Sequence, residues 1–191
     1  MKLSVERVAA GPSEHRYEAS AEWWAEWTGA GEDYTFSVVE YPRYQVTATA
    51  AGDDVTLRGE LRGALEIECG RCLRRYRHAL SDTFDVVLEP VRDRQPPDPE
   101  SEEGLERFGL CLSDELEVGW YRGKEISLDP LLAEVTALAM PIQPLCRDEC
   151  AGLCPHCGID RNRASCDCTD ERPDSPFAAL AALRTGSEGS T

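Results

Sequence analysis

The residues best suited to chemistry in this chain are its cysteines. There are nine, and six of them fall within residues 146–168, CRDECAGLCPHCGIDRNRASCDC. Thiols so crowded serve one of three purposes: a disulfide framework, a redox pair or a metal site. Disulfides belong to oxidising compartments and favour an even count. The opening MKLSVERVAAG has one early lysine and no apolar core, so no secretory signal is read there. No run of eighteen apolar residues offers a membrane span. The chain is therefore expected in the cytoplasm, where structural disulfides are rare. A thioredoxin-like C-x-x-C requires a βαβ setting, and the residues around the pairs do not offer one.

Spacing points to metal more directly. Cys154 and Cys157 form CPHCG, and Cys166 and Cys168 follow as C-D-C. A tetrahedral zinc ion needs four thiolates around one point, and C-x-x-C in a tight turn supplies two from one loop. Gly158 can take the positive φ that such turns need. Cys146 and Cys150, spaced C-x-x-x-C, remain, and far upstream Cys69 and Cys72 make another C-x-x-C. Together these four can make a second set, which on sharing an ion would staple the C-terminal segment to the strands before it; the tight C-D-C could instead be split between the two sites. Two structural Zn²⁺ ions are the expected cofactors. Cys111 is left over, in GLCLSDELEV, and reads as a buried apolar thiol.

Four thiolates close the coordination sphere, whereas catalytic zinc keeps a position open. The three histidines, His15, His78 and His156, make no H-E-x-x-H, and the H-x-E half of a zinc deaminase signature is absent. There is no G-x-S-x-G and no P-loop. His156 lies inside the knuckle and is read as an exposed turn residue. The chain is not expected to be an enzyme.

The elements that must position these thiols are mostly strands. TFSVVEY, YQVTATA, DVTLRGEL, GALEIEC and DTFDVVLE are short, rich in Val and Thr, and separated by turn signals such as Tyr41-Pro42-Arg43 and Gly52-Asp53-Asp54. Their close spacing implies antiparallel pairing. The expected fold is α+β: an antiparallel meander or barrel-like sheet, one amphipathic helix and a C-terminal zinc-ribbon-like lobe. Residues 92–104, RDRQPPDPESEEG, read as a mobile acidic loop. The clearest helix is 128–140, with Asp129 as its cap, Pro130 in its first turn and Pro141 as its stop. Leu128, Leu131, Leu132, Val135 and Leu138 make its core-facing stripe. In SAEWWAEWTGAG a short helix from Ser20 would put Trp23 and Trp27 on one face, for core packing or for a partner. The domains expected are 1–145, β-rich; 146–184, a cysteine lobe with a short closing helix, PFAALAALR; and 185–191, a disordered tail.

Charge limits the partners. The formal net charge is −16, and two four-thiolate zinc sites would lower it by about four further units. Such a chain does not bind bulk nucleic acid by counterion release. Residues 58–78 nevertheless carry six arginines against three glutamates. Arg71, Arg74, Arg75 and Arg77, with Tyr76 among them, are candidate contacts for RNA or a partner. They can equally offset nearby thiolate and carboxylate charge.

The combination of C-G-R-C-L at 69–73, LAMPIQPLC at 138–146, CAGLCPHCG at 150–158, the later C-D-C and the closing PFAALAAL resembles the YceD family, over about residues 58–184. The resemblance implies a bacterial cytoplasmic protein needed for accumulation of large-subunit (23S) ribosomal RNA, with relatives in plastids; it does not imply a catalytic mechanism. It also implies a partner, because the family tends to be encoded beside a small zinc-bearing ribosomal protein. The expected function is a ribosome-biogenesis factor that binds a ribosomal protein or pre-ribosomal RNA. The alternative is a thiol- or zinc-responsive regulator.

Overall fold

Three long strands carry the architecture: β3 (Phe36–Ala51), β4 (Asp54–Glu68) and β5 (Arg75–Pro90). They belong to a computed structural model that describes residues 1–28, 36–92, 94, 96, 98–113 and 117–168. Before them come β1 (Lys2–Ser4), α1 (Val5–Ala10), β2 (Ser13–Glu18) and α2 (Ala21–Thr28); after them α3 (Pro99–Phe108), β6 (Leu110–Leu112), β7 (Val118–Tyr121), β8 (Glu125–Ser127) and α4 (Asp129–Leu138). Six strands pair in the order β2-β3-β4-β5-β7-β6, and β1 pairs with β8 apart from them. All pairs are antiparallel except β5 with β7. Among the described residues the row is open, with β2 and β6 at its edges, so the meander holds and the barrel does not.

The strands are longer than their sequence suggests. Tyr41-Pro42-Arg43 is not a turn: β3 runs through it, with register shifts between Val38 and Arg43. Pro42 has no N–H for the ladder, and an irregularity absorbs it. Gly63 lies opposite, where a Cβ would sit 3.2 Å from the Glu40 carbonyl oxygen, so the expected break there is also continuous strand. Gly52, at φ 68°, does make the turn between β3 and β4. The first half of β5, Arg75–Leu80, alternates outward arginine with inward Tyr76, His78 and Leu80.

The acidic stretch 92–104 needs correction as well. Helix α3 starts inside it, because the Asp98 carboxylate accepts the Ser101 N–H at 2.8 Å and Pro99 opens the first turn.

The inward face of the sheet meets α4. Tyr44, Val46, Leu57, Leu61, Val86 and Leu88 pack with Leu3, Val8, Ile126, Leu128, Leu131, Leu132 and Val135 in one buried cluster. Leu138 departs from the expected stripe: it is 60% exposed. Asp129 does not cap α4 either. It lies one residue inside the helix, and its carboxylate accepts the Trp23 indole N–H at 2.7 Å and the Ser127 hydroxyl at 2.6 Å. The tryptophan segment forms α2, where Ser20 Oγ accepts the Trp23 N–H. Trp24 is buried against Leu65, Ile67 and Leu80, and Trp23 is half-buried on the main cluster, its ring edge-on to Tyr44 at 6.1 Å. Trp23 and Trp27 stack at 6.3 Å, and Trp27 leans on Phe108. The expected C-terminal helix and the tail 185–191 lie outside the described residues.

Candidate metal centres

The first C-x-x-C is the loop that joins β4 to β5. Glu68 and Arg75 are the last paired residues of the hairpin, and the six residues between them close on themselves: Leu73 N–H reaches the Cys69 carbonyl at 2.9 Å, and Cys69 N–H reaches that of Arg74 at 3.0 Å. The 154–158 knuckle repeats the pattern, with Gly158 N–H on the Cys154 carbonyl at 2.9 Å. Both turns need a left-handed residue after the second cysteine. Gly158 supplies it at φ 74°, and Leu73 is held there at φ 58°.

Residues 144–153 wrap round the hairpin loop. Gly70 N–H bonds the Pro144 carbonyl at 2.8 Å, Leu153 N–H bonds that of Arg71 at 3.0 Å, and the Arg71 guanidinium donates to the Cys150 carbonyl at 3.0 Å. This lacing brings Cys69, Cys72, Cys146 and Cys150 together, all four sulfurs lying within 4.8 Å of one another. Cys154, Cys157, Cys166 and Cys168 form a second group to the same limit. These are the two sets that the spacing groups. Cys111 joins neither; it is half-buried on β6, its thiol toward the Leu112 carbonyl.

The geometry tests what such groups can hold. Cys69 and Cys150 sulfurs are 3.8 Å apart, as are those of Cys72 and Cys146. A disulfide needs about 2.0 Å. A tetrahedron of thiolates at about 2.3 Å from zinc has edges of about 3.8 Å. A polynuclear iron–sulfur cluster interposes irons and sulfides and needs a wider cage. Both groups therefore fit a single tetrahedral ion.

The electrostatics agree. Burial pushes the Cys69 thiol up, but backbone hydrogen bonds from Cys146, Cys72 and Arg71 outweigh it and bring it down to about 6. At Cys72 a backbone hydrogen bond from Arg74 favours the thiolate, yet burial and its three sulfur neighbours push it up to about 12. In the second group, backbone hydrogen bonds from Cys157 and His156 lower Cys154 to about 5. Cys157, burial and the other two thiols raise Cys168 to about 12. Four thiolates this close repel one another, and a central divalent cation balances that repulsion.

Asn162 escaped the sequence reading. It lies in the loop between the two cysteine pairs of the second group, yet its side chain reaches the first. Its Nδ2 donates to Cys150 Sγ at 3.5 Å and to Asp160 Oδ1 at 2.6 Å, while its Oδ1 accepts from Arg147 at 2.7 Å and from Ala151 N–H at 2.9 Å. No spacing rule identifies a side chain that crosses between sites.

The candidate contact residues are engaged within the chain. Arg71 ties the loop to Cys150. The Cys146 thiolate beside Arg74 holds its guanidinium above the ordinary range. Arg75 bridges Glu66 at 3.2 Å, and Arg77 bridges Glu40 at 2.6 Å. Tyr76 is half-buried between the second hydrophobic cluster and the buried cysteines.

Sequence comparison now bears on this arrangement. The family model described as "Large ribosomal RNA subunit accumulation protein YceD" matches residues 57–184. The chain belongs to the YceD family. The part that matches the family model holds most of β4, all of β5 and α4, and all eight clustered cysteines; the tryptophan helix lies outside it. Among curated proteins, the chain is 26% identical over 143 residues to the "Large ribosomal RNA subunit accumulation protein YCED homolog 1, chloroplastic" of Arabidopsis thaliana, which covers 67% of this chain and 44% of the relative. It is 29% identical over 114 residues to uncharacterized proteins of Mycobacterium bovis and Mycobacterium tuberculosis, which covers 58% of this chain and 46% of theirs. The chain thus spans less than half the length of these relatives. No solved structure matches it. Among the described residues, no helix is long and apolar enough to cross a membrane.

Proposed function

We propose that this YceD-family chain is a non-enzymatic ribosome-biogenesis factor of the cytoplasm, which supports accumulation of large-subunit ribosomal RNA by binding a ribosomal protein. Each Cys₄ group holds one structural zinc ion, supplied with tetrahedral thiolate coordination and no open position. Family membership supports the ribosomal setting. The engagement of Arg71, Arg74, Arg75 and Arg77 inside the chain is the observation that favours a protein over bare RNA. With those guanidiniums bridged and a net charge of −16, the field attracts basic ribosomal proteins and repels phosphate. The test is to isolate complexes of the full chain from cells and identify protein and RNA before and after nuclease treatment. A large-subunit protein that stays bound after nuclease supports the reading. Salt-sensitive binding of naked ribosomal RNA by the purified protein at physiological ionic strength overturns it.

One observation favours a second reading at the second centre. Cys157 is exposed, whereas Cys69, Cys72 and Cys150 are buried. A thiol- or zinc-responsive role would reside there, since sensing needs an accessible thiolate. Rapid loss of one ion to mild oxidant, with loss of partner binding, would support it. Partner binding that survives that loss would oppose it.

A further inference from the structure

Between β5 and α4 runs a groove of about 280 Å³. Phe84 and Val86 line it from the strand, and Leu131, Val135 and Leu138 from the helix. Pockets for small molecules begin at about 300 Å³, so this one is sized for the side chains of a polypeptide. Leu131 and Val135 form its floor and are 0% and 4% exposed; Leu138 stands at its mouth, 60% exposed. An exposed leucine at the end of an otherwise buried stripe leaves the apolar face of α4 incompletely covered.

The rim is acidic. Asp82, Asp85 and Glu117 line the groove, and exposed Glu134 stands one turn before Leu138. Among the described residues, Arg58 is the only cation bridged to any of these four carboxylates, at 2.7 Å from Asp85. Asp82 lies on the inward side of β5, and among the described residues its carboxylate accepts only the neighbouring Thr83 N–H, at 2.8 Å.

We infer that this groove docks a basic segment of a partner protein, one that presents an aliphatic side chain flanked by lysine or arginine. The aliphatic group would cover Leu138 and Phe84, and the cations would face Asp82, Glu117 and Glu134. Phosphate is repelled by the same carboxylates, so RNA does not suit the site. The inference rests on the protein-partner reading above and locates its contact surface.

The test uses the full, metal-loaded chain and a labelled synthetic peptide of alternating leucine and lysine, with a leucine–glutamate peptide as control. The basic peptide should bind, weaken as salt rises, and shift the methyl resonances of Leu131, Val135 and Leu138. Leu138→Gln should weaken it about tenfold or more, the cost of losing one buried leucine contact. Asp82→Asn with Glu117→Gln and Glu134→Gln should weaken it and flatten its salt dependence. Val39→Gln, at an exposed valine on β3, should leave it unchanged. Equal binding of the acidic peptide, or indifference to Leu138→Gln, overturns the inference. So does a dimer abolished by Leu138→Gln, which would make a second copy the occupant. Binding seen only after removal of residues 169–191 also overturns it, because the chain's own segment would then fill the groove. If ribosomal proteins co-purify with the Leu138→Gln chain as with the unaltered one, the groove fails and the partner reading stands. If the peptide docks but cellular complexes vanish with nuclease, the partner reading fails alone.

Discussion

Leu73 stands where the second knuckle has a glycine. Its φ of 58° is strained for a branched side chain, and its side chain is 55% exposed. The left-handed region costs about 1–2 kcal/mol for such a residue, while glycine gives back about 0.5–1 kcal/mol in unfolded-state entropy. Leu73→Gly is therefore expected to stabilise the metal-loaded chain by up to about 1 kcal/mol, seen as a higher melting temperature. A fall of that size would mean that the leucine packs on something the fold needs. Asn162 is the other residue whose role is local. Outer hydrogen bonds to ligands are worth about 10–100-fold in metal affinity. Asn162→Ala should lower the affinity of the Cys69–Cys72–Cys146–Cys150 centre by about tenfold or more, measured by competition with a chromophoric chelator. Unchanged release of both ions would leave Asn162 a mere loop residue.

At the scale of elements, the hairpin loop between β4 and β5 and the segment 144–153 are one unit, tied by hydrogen bonds from Gly70, Arg71 and Leu153 and by four thiols. The 154–168 loop closes on itself. Cys146→Ser is expected to remove amide protection at 69–74 and 144–153 together and to destabilise the whole fold. Cys166→Ser should loosen the second lobe alone. Hydrogen exchange distinguishes these patterns, and equal spread in both variants would contradict the assignment. The cysteine pairs were legible in the sequence because thiol spacing is short-range geometry; which pairs share a site was not, since Cys69 and Cys72 meet Cys146 and Cys150 only through the fold. The ends of α4 were legible from Pro130 and Pro141, within two residues. The long strands were not, since Pro42 and Gly63 read as breaks until each is seen to accommodate the other. Helix α3 was hidden by proline and acid content, although Asp98, Pro99 and Ser101 carry an N-terminal signature. The reach of Asn162 to Cys150 and the exposure of Leu138 depend on tertiary placement, which no local pattern holds.

For the whole molecule, charge and metal decide what the chain can do. Arg74, Arg75 and Arg77 are engaged within the chain, so replacing all three with glutamate is expected to cost stability. Exposed pairs such as Arg75–Glu66 and Arg77–Glu40 contribute about 0.2–1 kcal/mol each. The change at Arg74 adds a negative charge beside Cys146 and should weaken the first centre. Partner association should persist in that variant and resist nuclease; a selective loss of RNA binding with stability intact would reverse the assignment. The central proposal is that the chain carries two closed four-thiolate zinc centres, the first pinning residues 144–153 to the β4–β5 loop and the second closing residues 154–168. Elemental analysis of the native full chain tests it most directly. Two zinc ions per chain and no visible absorption are expected. One ion or none, or a brown protein containing iron, would contradict it.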